Sequence, residues 1–419
     1  MNNNYLETKI ENSNYTKLST GELLLIAFFV YYYLLPSASN TIPFIVMLAI
    51  GCLYVGYFLF IGLIKQEIKS KIFTVLCCVV FVTLCYFFLT ETKTIQVSSG
   101  NYDLKRLVSK FQQLFFTFLP LLFAYRLIKF GDKKQLQILL AFAIVLIIYV
   151  IIKTFNELSV NDTATRVWSE FSKMEAQNIG TYNFVYAISV SIPVVFSLSL
   201  NAERMTKRLG LLLYVVIGFI FLVMARYTLS LLISAILCYV AIFVSAKTKA
   251  TKNIALILTP LILVLLPYIL EFVALHIASG GMSTRLLEVS NFYSGEAMGY
   301  NLNGRLALYK ETLSAFFDSP FIGNSSLEFD GHATFLTVLS DVGLVGAIPF
   351  YWLYFSPRKK INQMLNDKKQ NNCFLLGFLA VVLTGLVNPI HAALPLPMVA
   401  WLVVPLAIRV FVKKDNSEN

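Results

Sequence analysis

Charge is what this sequence has least of. Asp, Glu, Lys and Arg make up 14% of its 419 residues while 57% are apolar, and the mean hydropathy is +0.71. Soluble domains carry roughly a quarter of their residues as charges, so a soluble protein is excluded and the chain reads as a membrane protein. Histidine is scarce too, at three residues. The six cysteines, Cys52, Cys77, Cys78, Cys85, Cys238 and Cys373, all lie in or at the ends of apolar runs. With no paired spacing in a polar loop they point to neither disulfides nor a metal site, and read as small apolar filler. A phosphate loop, an Asp-x-Asp pair and a Cys/His cluster are missing as well. Chemistry here is therefore expected to need no metal and no cofactor. Internal repeats, low-complexity runs and a separate soluble domain are also absent.

What is present is apolar length. A hydrocarbon core of roughly 30 Å takes about 20 helical residues to cross, and runs of that kind predict an all-α, polytopic membrane protein with about twelve transmembrane helices. They fall at 18–35, 42–64, 72–90, 108–128, 136–153, 179–200, 209–225, 228–246, 254–274, 333–355, 373–388 and 394–412. A single membrane domain then spans 18–412 between tails 1–17 and 413–419. The opening MNNNYLETKIENSNYTKLSTGE is polar, contains acids and shows no small-residue cleavage site, so it reads as a cytoplasmic tail rather than a signal peptide. With the N-terminus inside, 23 of the 34 Lys and Arg residues fall on inner segments, as the positive-inside rule requires. Both termini are then cytoplasmic. The net charge of +11 is explained by topology and anionic headgroups, and no nucleic-acid partner is needed.

Most connections are short. The outer segment 275–332 is too long for a simple connection, and a second outer segment, 154–178, is intermediate. Within the long one, NLNGRLALYKETLSAFFDSP predicts an amphipathic helix outside the membrane, packed across the ends of the spans. Asn303 caps it, Leu306, Tyr309, Leu313, Phe316 and Phe317 recur at helical spacing, and Pro320 stops it. Arg305 falls in its first turn, against the helix dipole. Something anionic nearby would offset that mismatch, as would a surface salt bridge.

Candidate residues gather on this outer side. Arg226, in FLVMARYTLSLLISA, stands between two apolar runs with almost no loop. It reads either as an arginine snorkelling to the headgroups or as an anion site, since its planar fork donates to two oxygens in parallel. His332, where the long loop meets a span, is a cap or interface residue on one reading and a general base on the other. His391 is its rival and His276 a weaker one. Glu288, Glu296, Glu311, Asp318, Glu328, Asp330 and Asp341 crowd the long loop and its exit; most read as solvated, and any could orient a histidine or act as base.

GRLALYKETLSAFFDSPFIGNSS followed by GHATFLTVLSDVGLVGAIPF resembles the signature region of the O-antigen ligase and Wzy-type polymerase superfamily. The resemblance rests on Arg305 opening a helix, Ser319-Pro320, Gly323, His332 leading a span, and the Gly343-Leu344-Val345-Gly346 turn. ARYTLSLL with Arg226 and TYNFVYA with Asn183 are similar to two further pieces of the family pattern. Ala333 stands where the family usually has Asn or Ser, and Gly323-Asn324-Ser325 replaces its Gly-x-Gly.

The resemblance implies a GT-C-type membrane glycosyltransferase of the bacterial inner membrane, working on its periplasmic face. Its partners would be membrane lipids, a glycan donor and acceptor on undecaprenyl diphosphate, and a chain-length regulator and flippase of the same pathway. His332, Arg305 and Arg226 would be catalytic, with Arg285, Tyr309, Asn183 and Asp330 binding substrate. The eleven residues between Pro320 and His332 are short for a ligase, which favours the repeat-unit polymerase of O-antigen or capsule over the ligase acting on lipid A core. Transport is the competing class. It fits less well, because the connection NAERMTKR is short for a major-facilitator carrier and the charges sit on an outer loop rather than along an intramembrane path.

Overall fold

The computed structural model describes residues 18–60, 74–85, 102–161, 164–165, 171–245, 249–276, 281–293, 300–324, 333–365, 367–388, 390 and 394–412. Among these residues the secondary structure is helical, with no strand. In chain order the helices are α1 (Thr20–Leu34), α2 (Pro36–Thr41), α3 (Phe44–Phe60), α4 (Thr74–Cys85), α5 (Tyr102–Phe130), α6 (Lys133–Leu158), α7 (Phe171–Ala176) and α8 (Tyr182–Asn201). They continue with α9 (Met205–Met224), α10 (Thr228–Ser245), α11 (Lys249–His276), α12 (Gly281–Tyr293), α13 (Tyr300–Asp318), α14 (Thr334–Leu365), α15 (Lys368–Val387) and α16 (Pro395–Phe411). Among the described residues seven helices are long and apolar enough to cross a membrane: α5 over Phe111–Phe130, α6, α8, α9, α10, α14 and α15. The all-α polytopic class expected from the apolar runs is therefore present.

Local signals set several helix starts. Ser19 accepts from the Glu22 amide at 3.1 Å to open α1, and Asp132 with Gln135 forms a reciprocal capping box at α6. Pro36 sits in the first turn of α2, where its missing N–H costs nothing.

Helix α8 is the centre of the bundle. Every residue from Phe184 to Val194 is buried, and α8 packs against α9, α10 and α15. In lipid, helices gain no hydrophobic advantage from meeting, so close packing and hydrogen bonds must hold them. The serines of AISVSIPVVFSLSL supply both. Ser189 Oγ lies 3.1 Å from Ser234 Oγ on α10, Ser191 Oγ 2.7 Å from Tyr214 Oη on α9, and Ser197 Oγ 3.1 Å from Cys373 Sγ on α15.

The helices define two ends. At one, which we call the basic end, the start of α1 meets the end of α5: Arg126 grips Glu22 through Nε and Nη2, both at 2.7 Å, and Tyr54 Oη donates to the same carboxylate at 2.8 Å. Lys133, Lys134, Arg204, Lys207, Lys368 and Lys369 begin helices at this end, where Gln370 Nε2 also donates to Val412 O at 2.9 Å. At the opposite end lie the close of α6, the start of α8, the α9–α10 turn, α13 and the close of α15. We call it the α13 end.

Helix α13 differs from expectation in two ways. It starts at Tyr300, so Asn303 lies inside the helix rather than capping it. The stripe Leu306, Leu313 and Phe317 is exposed, at 44%, 37% and 72%, while Thr312 and Ala315 are the buried positions. Small and short polar side chains allow close approach to α14, and the large apolar ones are turned outward.

Candidate functional site

The segment that carries the resemblance folds as a backbone lock. Helix α14 is broken at Gly343, whose φ of 58° and ψ of −166° belong to glycine alone. The break leaves main-chain groups unpaired, and the reversal after α13 fills them. Leu344 N donates to Pro320 O at 2.9 Å, Val345 N to Phe321 O at 3.1 Å, and Asn324 N to Ser340 O at 2.6 Å. Gly323 and Gly343 face each other across this contact, and a Cβ on either would collide with the other strand's backbone. Pro320, Gly323 and Gly343 thus have a structural role that motif reading did not anticipate: they fasten α13 alongside the first nine residues of α14.

That fastening sets the first arginine cluster. Arg305 Nη1 donates to Val387 O at 3.1 Å, and Tyr309 Oη, one helical turn later, reaches the same oxygen at 3.5 Å. Val387 closes α15, and its carbonyl belongs to the negative end of that helix. Because α13 starts at Tyr300, Arg305 lies in its second turn rather than its first, and what it meets is the negative end of α15. Arginine carries five N–H donors, so this contact leaves the guanidinium able to hold an anion as well. Next to it, Thr334 binds Asn388 O through both N (3.4 Å) and Oγ1 (3.2 Å), and Thr334 Oγ1 accepts from Ile390 N at 2.7 Å. The starts of α13 and α14 and the end of α15 therefore meet at one place. Asn388, 6% exposed, keeps its Nδ2 without a partner among the described residues. Neither Asn388 nor Thr334 was anticipated. The NP following α15 was the available signal, and nothing local distinguished it from a simple helix stop.

The second cluster centres on Arg226. Tyr227 N donates to Leu222 O at 3.2 Å and Arg226 N to Val223 O at 3.0 Å, the paired bonds of a Schellman helix end. Such an end needs one residue in the left-handed region, usually glycine. Here it is Arg226, at φ 59°. The end of α7 is built the same way, with Ile179 N to Met174 O and Asn178 N to Glu175 O, both at 3.0 Å, but there the left-handed residue is Asn178, a residue that tolerates it. Around Arg226, Tyr227 Oη donates to Thr165 O at 3.0 Å. An edge-to-face series of rings, Tyr227–Tyr186–Tyr182, each step 5.8 Å, leads to the start of α8. Asn183 stands there with Oδ1 buried and unpartnered among the described residues. Close by, Glu175 Oε1 accepts from Thr181 Oγ1 at 3.0 Å, and burial raises this carboxyl above its ordinary pKa.

Of the residues expected to form the site, Arg226, Asn183, Arg305 and Tyr309 come to the α13 end, the first two in one cluster and the last two in the other. His332, Asp330, His391, Glu296 and Glu328 lie outside the described residues. Arg285 falls within α12, and its side chain is likewise outside them. His276 is exposed, stacked on Phe272 at 4.5 Å with Nδ1 3.1 Å from Phe272 O, an arrangement that serves only the end of its own helix. Glu311 and Asp318 are exposed, as expected for solvated acids, while Asp341 is half-buried beside the α14 break. Among the described residues no three His, Cys, Asp or Glu side chains gather as a metal ion would require.

At this end of the bundle, then, stand Arg226 and Arg305, the amides of Asn183 and Asn388, and the rings of Tyr182, Tyr186, Tyr227 and Tyr309. No family model matches the chain, and no curated protein matches it.

Proposed function

We propose that this chain is a membrane glycosyltransferase that polymerises undecaprenyl-diphosphate-linked repeat units into O-antigen or capsular polysaccharide. In this reading it crosses the membrane twelve times, through the seven long apolar helices together with α1, α3, α4, α11 and α16. The basic end faces the cytoplasm, following the positive-inside rule, and the α13 end faces the periplasm, where lipid-linked repeats arrive. The GT-C architecture is part of the same proposal.

The observation that carries it is Arg226. Placing a residue with a Cβ in the left-handed region costs about 1–2 kcal/mol, and a glycine would close the same turn without strain. Strain of this kind is kept where a side chain is needed for something other than folding. A second arginine, Arg305, stands at the same end of the bundle, held by Val387 O.

The reaction would run as follows. A hydroxyl oxygen of the acceptor attacks the anomeric carbon of the donor glycan, the bond from that carbon to the diphosphate breaks, and undecaprenyl diphosphate leaves with the electron pair. The hydroxyl proton passes to the neutral imidazole of His332. Negative charge grows on the diphosphate as its bond to the sugar lengthens, so Arg226 and Arg305 lower the barrier more than they tighten ground-state binding.

The test is chain growth by the purified full-length protein in detergent, where a transporter has no second compartment to serve. Incubation with lipid-linked repeats should yield a ladder of products. His332→Ala should abolish it and His276→Ala should leave it, general-base catalysis being worth about 10²–10⁴ in rate. Arg305→Lys keeps the charge and loses the fork, and should cost orders of magnitude in activity at normal protein level. No ladder from the unaltered protein, or a normal one from His332→Ala, would overturn the assignment.

A further inference from the structure

We infer that the basic end carries a binding site for an anionic phospholipid on the outer face of α14, independent of the reaction proposed above. Leu344, Val345, Ile348, Trp352 and Phe355 are exposed, at 36–63%, and recur at helical spacing as one apolar stripe. Its first and last members are eleven positions apart, about 16 Å at 1.5 Å per residue. It starts at the Gly343 break and stops abruptly: the next positions along the same face are Arg358, Lys359, Asn362 and Gln363.

These four residues and Phe355 line an open cavity of about 540 Å³. Arg358 is steadied over the ring of Phe378 on α15, 5.6 Å from its centroid, and Lys360 lies 5.2 Å over Trp352. Asn362 Oδ1 is buried and unpartnered among the described residues. Two cations flanked by two amides, at the depth where the apolar stripe ends, match a lipid phosphate with a hydroxyl-bearing headgroup. The stripe above takes the acyl chains. A zwitterionic headgroup would bring its own cation against Arg358 and Lys359, so the site selects a net negative lipid.

Trp352 makes the site readable. The full chain carrying Trp168→Phe is reconstituted in bilayers mixing phosphatidylcholine and phosphatidylglycerol, with one of the two brominated in its acyl chains. Trp352 is 39% exposed and reports the lipid in the groove, whereas Trp401 is 1% exposed and adds a constant background. Brominated phosphatidylglycerol should quench at a far lower mole fraction than brominated phosphatidylcholine. Arg358→Gln with Lys359→Gln should remove on the order of thirty-fold of that preference, the effect of two basic residues at an anionic surface. Gln363→Glu, which adds a negative charge to the cavity, should weaken it independently. Lys133→Gln with Lys134→Gln, exposed on α6 at the same end, should leave it intact. Equal quenching by the two lipids would overturn the inference, as would a loss in the α6 variant as large as that in the α14 variant. Release of the preference by millimolar inorganic phosphate would make this a site for a soluble anion instead of a lipid.

Discussion

Replacing Arg226 with glycine should give an inactive protein that is more stable than the one carrying alanine there. The comparison that isolates the cause is Arg226→Gly against Arg226→Ala, because both remove the same side chain and every contact it makes. What differs is the backbone: alanine keeps a Cβ at φ 59°, whereas glycine takes that conformation freely. The left-handed conformation costs a residue with a Cβ about 1–2 kcal/mol, and the extra freedom of glycine in the unfolded chain returns roughly 0.5–1 kcal/mol of that. A net difference of about 0.5–1 kcal/mol in favour of glycine is expected, which for a chain of this size is a rise of roughly 1–2 °C in the unfolding midpoint. Unfolding in detergent, followed at one fixed scan rate, gives the midpoints, and chain growth with lipid-linked repeats gives the activity. Both variants should lose activity, although only one gains stability relative to the other. If the glycine variant is no more stable than the alanine variant, the turn is not strained and the physical case for Arg226 falls. If the glycine variant polymerises normally, the strain is real but serves no reaction.

Three further outcomes follow from the packing. Gly343→Ala should cost about 2–6 kcal/mol, combining a glycine-only conformation with a collision against the Phe321 carbonyl; Gly304→Ala, with nothing within 4 Å, should be neutral or stabilising, and equal midpoints for the two would refute the lock. Glu22→Gln leaves Arg126 buried and short of its counter-charge, so it should cost about 3–5 kcal/mol, with much of the loss recovered in the double variant Glu22→Leu, Arg126→Met; thermal midpoints in which single and double variants are equally destabilised would oppose this. Burial raises the Glu175 carboxyl above 4.5, so the folded state holds that proton more tightly than the unfolded chain. Its contribution is full at low pH and is lost as pH rises from 4.5 through the raised folded value. Unfolding midpoints of Glu175→Gln should therefore gain on the unaltered protein across that window and run parallel above it; parallel curves throughout would mean the carboxyl is not perturbed.

Much of this protein was legible from residues taken in order, because the properties involved are local. Apolar run length marked the helices to within a few residues at most ends, as at 228–246 against Thr228–Ser245. Cation placement marked one end as basic, and Pro320 marked where α13 stops. Arg226 stood out because a charge between two apolar runs is costly, and Arg305 because it opens the signature-like helix of the long polar segment. Tertiary structure alone decided where those residues stand and which groups surround them. Periodicity showed that α13 has an apolar stripe but not which side of it meets protein, since a membrane environment accepts Leu306, Leu313 and Phe317 facing outward as readily as inward. The glycines of the signature segment make sense only as two backbone stretches meeting, Gly323 against Gly343, far apart in sequence. Arg226 in the left-handed region, and Asn388 buried where α13, α14 and α15 meet, depend on φ angles and on three chain segments converging, and no single stretch of sequence contains that information.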